Sequence, residues 1–85
     1  MYQITFSDIA EQQIDKLNPE LRQRIISTIK RCRIRPYIFA KKIVGTHYFA
    51  LRAGDYRIII RIFNKEIRIL VVKVGHRKKI YKQLS

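Results

Sequence analysis

From His47 onward the apolar residues stop recurring every three or four positions and begin to recur every second one. HYFALRA, YRIIIRIF and EIRILVVKV follow one another over residues 47–74, broken only at Ala53 to Asp55 and at Asn64 to Lys65. Breaks that short leave no room for a crossover, so consecutive runs must fold back as antiparallel hairpins. A three-strand meander of this kind has an apolar face that needs a cover, and the chain before His47 has to supply it.

That earlier stretch reads as one strand and two helices. YQITFS alternates, with Tyr2, Ile4 and Phe6 on one face and Gln3 and Thr5 on the other, which predicts a strand over residues 2–6. Ser7 is suited to cap a helix, Asp8 and Glu11 complement the dipole of its first turn, and Ala10, Ile14 and Leu17 carry the helical stripe to about Leu17. Asn18 and Pro19 end that helix and open a second one, as cap and first helical residue. Leu21, Ile25, Ile29 and Cys32 form its apolar stripe, basic residues fill the rest, and Pro36 is expected to stop it. PYIFAKKIVGTH then reads as a connector that brings Lys41 and Lys42 to a turn at Gly45. Gly75 reads as the turn by which the chain leaves the last strand and delivers Arg77 beside Arg57, and residues Arg77 to Leu84 have room for a short final helix. The fold class expected is α+β: a two-layer β-α-α-β-β-β domain spanning residues 1–85, its helical hairpin packed on a mainly antiparallel sheet.

A chain of 85 residues supports one modest core and no second domain. It has no apolar run near the ~20 residues of a membrane-spanning helix, no secretory pattern in MYQITFSDIAEQQ and one cysteine, Cys32, hence no disulfide framework. A cytoplasmic protein is expected. The formal net charge is +13, which repels a domain this small from itself unless it serves solubility or an anionic partner. Nucleic acid or the ribosome ranks first as that partner, an acidic protein second and a membrane surface last.

Strand parity locates part of this charge. Phe49 and Leu51 oppose Tyr48, Ala50 and Arg52; Tyr56, Ile58, Ile60 and Ile62 oppose Arg57, Ile59, Arg61 and Phe63. The isoleucine face belongs under the helices, which leaves the face of Arg57 and Arg61 open. Arginines in mid-strand are a poor choice for stability alone, because a guanidinium among apolar neighbours needs partners. Asp55 and Glu66 are the only carboxylates after Glu20. The open face therefore reads as an anion site.

LRAGDYRIIIRI followed by EIRILVVKVGHRKKIY resembles the RelE/ParE superfamily of bacterial and archaeal toxins, and its RelE branch in particular. The resemblance runs over the whole chain in element order and is most specific in residues 51 to 81. It implies a toxin of a type II toxin-antitoxin system: a ribosome-dependent endoribonuclease, or mRNA interferase, that cleaves mRNA in the ribosomal A site, inhibits translation and is neutralised by a RelB-like antitoxin in a hetero-oligomer. Carried over by motif, the resemblance implies roles for Arg57, Arg77 and Tyr81. The two lysines that such proteins place before the Leu-Arg pair are replaced here by Tyr48 and Ala50, with Lys41, Lys42 or Lys78 as substitutes. The ParE branch shares the scaffold but inhibits DNA gyrase, and a non-catalytic RNA- or ribosome-binding module is a third reading.

RNA cleavage by the neighbouring 2′-hydroxyl needs a base, charge stabilisation on the phosphorus and an acid for the departing 5′-oxygen. Arg57 and Arg77 suit the second task, since a guanidinium fork matches phosphate oxygens and keeps its charge. Tyr81 and His76 are the alternatives for proton transfer. Arg52, Lys41, Lys42, Lys78, Arg61 and Tyr48 are the expected phosphate- and RNA-binding residues. With no clustered Asp, Glu and His, the sequence points to a metal-independent reaction without cofactor. An antitoxin that covers these cations is expected to be acidic.

Overall fold

The structure, a computed structural model, describes residues 1–83. A five-stranded sheet of order β1-β5-β4-β3-β2 is covered on one face by helices. Its strands are β1 (Gln3–Phe6), β2 (Lys41–Lys42), β3 (Phe49–Ala53), β4 (Tyr56–Phe63) and β5 (Arg68–His76). The meander β3-β4-β5 is antiparallel as its short turns require, whereas β1 joins the edge of β5 in parallel.

Helix α1 (Asp8–Asp15) starts where expected: Ser7 Oγ accepts the Ala10 N–H at 3.0 Å, and Asn18 Oδ1 accepts that of Leu21 at 2.9 Å to open α2 (Pro19–Cys32). Ile25, Ile29 and Cys32 of the α2 stripe pack against Ile58, Ile60 and Val71 of the sheet. Each of these isoleucines is essentially fully buried, worth about 1.5–3 kcal/mol apiece before entropy is counted. The register of β4 against β5 slips between Ile59 and Ile60, so that Val72 has no partner across the ladder. Helix α1 compensates: the Ser7 hydroxyl donates to the Val72 carbonyl at 2.6 Å, and Gln13 Oε1 accepts the Val74 N–H at 2.7 Å.

Several expectations are corrected. Helix α2 ends at Cys32, before Pro36, and Pro36 instead opens a one-turn helix, α3 (Pro36–Phe39), for which its fixed φ is suited. The connector is thus structured, and Lys41 and Lys42 form an edge strand on β3. The last strand continues through Gly75 to His76, so Gly75 is a strand residue paired with Arg57 and not the turn by which the chain leaves the sheet. Its missing side chain has a different use: a Cβ there would lie 2.9 Å from Cδ1 of Ile80. The expected final helix is a 3-10 turn, Ile80–Gln83, with Leu84 outside the described residues. Ile80 is 1% exposed, folded back over Gly75 on the face away from the helices.

Candidate functional site

The β3-β4 turn organises the site. Gly54 sits at φ +60°, a backbone state that side-chain-bearing residues rarely adopt, and the Arg24 guanidinium of α2 lies against it. Arg57 Nη1 donates to the carbonyls of Gly54 at 2.9 Å and Tyr56 at 3.0 Å. One corner of the fork is thereby fixed, and the rest of the guanidinium is left for an anion. Across the ladder, Arg57 pairs with Arg52. Like charges directly opposite one another cost stability, typically ~0.2–1 kcal/mol, and the fold retains them.

Arg52, Arg57, Lys41, Ala50, Phe39 and Tyr81 line a cleft of about 230 Å³. Lys41 reaches it because β2 pairs Lys41 with Ala50, whose methyl group leaves space over the strand. The cleft walls hold three cations and no carboxylate. Tyr81 closes one side, 43% exposed, and its hydroxyl makes no hydrogen bond to the described residues. An oxyanion is what such walls can hold, and the tyrosine and lysine are the groups in it that can exchange a proton.

Of the residues expected from the sequence, Arg57, Arg52, Lys41 and Tyr81 come together here. Arg77 does not line the cleft: its N–H donates to the Asp55 carbonyl at 2.8 Å and its Nε lies 3.9 Å from Asp55 Oδ1. Both side chains are half or more exposed, so this ion pair holds the guanidinium only weakly. His76 stands opposite Tyr56, which packs on the core beneath the helices; the rings meet edge to face at 5.7 Å. It therefore lies on the other face of the sheet from Arg57, and its Nδ1 accepts the Lys78 N–H at 3.2 Å, an ordering contact in the turn. Lys42 pairs with Phe49 and so falls on the face opposite Lys41. Lys78 is exposed in the turn after β5, and Tyr48 precedes β3 on the open face, its carbonyl accepting the Ile43 N–H at 2.9 Å.

Arg61 is on the open face but four residues along β4, where its guanidinium lies 4.8 Å from the centre of the Phe63 ring. Sequence reasoning missed Phe39 as a wall of the cleft and Arg24 as the side chain packed against its turn. A four-residue helix has no stripe to read, and nothing local links Arg24 to a turn thirty positions later. The described residues contain no group of three or more His, Cys, Asp or Glu placed to hold a metal ion. A second cleft of about 490 Å³ between β1 and α2, lined by Tyr2, Ile4, Phe6, Ile26 and Ile29 among others, is largely apolar and holds none of the cleft residues above.

Fold and site together define a small, basic α+β domain with a cation-lined cleft on the open face of its sheet. A sequence model described as the ParE toxin of type II toxin-antitoxin system, parDE, matches residues 4–81, and the chain belongs to this RelE/ParE superfamily of toxins. An Escherichia coli protein described as a RelE-like toxin is 28% identical over 81 residues, covering 92% of this chain and 85% of that relative. The RelB-RelE antitoxin-toxin complex of Methanococcus jannaschii superposes with a TM-score of 0.72 at 27% identity, over 94% of this chain and 98% of that one. A free mutant of the E. coli toxin RelE superposes with a TM-score of 0.82 at 21% identity, over 98% and 90% of the two chains.

Proposed function

We propose that this toxin is a metal-independent, ribosome-dependent endoribonuclease that acts in the cytoplasm on mRNA and is held inactive by an acidic, RelB-like antitoxin. The observation that carries the reading is the convergence of Arg57, Arg52, Lys41 and Tyr81 on one cleft without a carboxylate. In the reaction the substrate's 2′-oxygen bonds to the adjacent phosphorus while the bond to the 5′-oxygen breaks. The 2′-hydroxyl proton leaves to a base and the 5′-oxygen takes one from an acid, giving a cyclic phosphate and a 5′-hydroxyl.

Arg57, fixed by two carbonyls, stabilises the added negative charge on the phosphoryl oxygens, with Arg52 beside it. Tyr81 and Lys41 divide the two proton transfers between them. Arg77 is recruited from Asp55 by the phosphate, an exchange that costs little because the ion pair is solvated. His76 serves the turn and not the chemistry.

The test is primer extension on mRNA in ribosomes programmed with a defined codon in the A site. New 5′ ends are expected with the wild-type chain, forming about 10²–10³-fold more slowly with Arg57→Ala. A second reading, inhibition of DNA gyrase, is favoured by the description of the matching family as ParE. Loss of supercoiling by purified gyrase, with ribosome-bound mRNA left intact, would select that reading over the first.

A further inference from the structure

The cleft occupies only one end of the open face. At the other end, beyond Ile59, β4 places Arg61 and Phe63 on the same side as Arg57, and β5 places Arg68 directly opposite Phe63. The Arg68 guanidinium lies 4.5 Å and that of Arg61 4.8 Å from the centre of the one phenyl ring. Arg68 Nη1 also donates to Thr5 Oγ1 at 3.3 Å, so β1 helps to hold it. Neither guanidinium has a carboxylate partner among the described residues.

Two unneutralised cations sharing one ring make a costly surface if nothing binds there, and the ring quadrupole offsets only part of the repulsion. The arrangement does hold two planar forks side by side, with N–H edges for phosphate and outer faces on which unpaired bases can stack. Lys73, opposite Ile59, lies between this cluster and the cleft. Arg61 lies four residues along the strand from Arg57, about 13 Å. One phosphate cannot touch both, but a few nucleotides of single strand can.

We infer that Arg61, Phe63 and Arg68 form a second station for the same RNA strand whose scissile phosphate enters the cleft, gripping unpaired nucleotides beside the cut. The inference rests on the ribonuclease reading for the identity of the strand; the station itself is tested without cleavage. The occupant is RNA and not a protein because the face combines unpaired cations with no carboxylate and no apolar groove, and because it lies on the same sheet face as the cleft.

The experiment measures binding of three- and eight-nucleotide 2′-O-methyl RNAs, which cannot be cut, by fluorescence anisotropy. The wild-type chain should bind the longer RNA more tightly. In Arg61→Gln/Arg68→Gln that advantage should disappear, with affinity for the eight-mer falling about tenfold and the slope of log K against log salt falling by about 1.4, at ~0.7 per phosphate contact. Affinity for the three-mer should stay unchanged. Phe63→Leu keeps both charges and an apolar strand residue, and should lose part of the length advantage with little change in salt slope. Thermal melts identify any variant that fails to fold, in which case Arg61→Lys/Arg68→Lys, retaining charge without the fork, replaces it and should also lose most of the advantage.

An unaltered length advantage, or equal weakening for both RNAs, overturns the inference. A chain that cuts no mRNA yet loses its length advantage in these variants refutes the ribonuclease reading and leaves the station standing. Normal cleavage with an intact advantage in the variants refutes the station alone.

Discussion

At the scale of single residues, the cleft sets charge against stability. Arg52 and Arg57 face each other across the ladder. Arg52→Gln should therefore raise stability by ~0.2–1 kcal/mol in urea unfolding while weakening RNA binding. An unaltered affinity would show that Arg52 only flanks the site. Arg57→Ala removes the donor that is already fixed in place, and single-turnover cleavage should fall about 10²–10³-fold, whereas His76→Gln should cleave at the wild-type rate. Parity made Arg57 legible from the sequence because β4 itself has no irregularity. The face of His76 was not legible, because Gly75 was read as the turn out of the strand, while it keeps its place in the ladder opposite Arg57. Cys32 was legible as a core residue. Burial pushes its thiol from 9.0 up to about 11, so the folded state holds the proton more tightly than the unfolded one. Its contribution to stability is present below pH 9.0 and is lost as pH rises toward about 11. Comparison of unfolding curves with those of Cys32→Ala across that window should show a steeper decline in the wild-type chain.

At the scale of elements, the helices and the meander were legible because each carries a period long enough to read. Helix α3 and strand β2 were not, for they are four and two residues long. What makes β2 a strand is the free edge of β3, a tertiary cause invisible in KK alone. That edge nevertheless decides the cleft, since it delivers Lys41 and not Lys42. The C-terminal 3-10 turn is a comparable case: Ile80 is anchored only because position 75 has no side chain. Gly75→Ala should push Ile80 off the sheet and carry Tyr81 with it. Cleavage should then drop nearly as far as in Tyr81→Phe, although the helical layer, which Gly75 does not touch, keeps its far-UV circular dichroism. Full activity in Gly75→Ala would mean that the turn does not position Tyr81.

At the scale of the whole molecule, the charge of +13 acts on folding and on binding in opposite senses. Self-repulsion opposes the compact state, and salt relieves it as the Debye length shortens from ~30 Å at 0.01 M to ~3 Å at 1 M. Binding of RNA exchanges condensed counterions for arginine and lysine, so the same salt weakens it. The midpoint of thermal unfolding should accordingly rise with potassium chloride while affinity for single-stranded RNA falls. A merely soluble basic surface predicts the first trend alone, because its cations would have no shared ligand. The sign of the second trend thus separates charge kept for solubility from charge gathered on one face for a partner. Parity disclosed the gathering of Arg57 and Arg61 but not its extent: the pairing of β2 with β3 and of β4 with β5 adds Lys41, Lys73 and Arg68 to the same face. Replacing these five by glutamine should abolish most of the salt dependence of binding. Replacing five exposed or partly exposed cations of α2 and its flank (Arg22, Lys30, Arg31, Arg33 and Arg35) should leave most of it, although net charge changes equally in both.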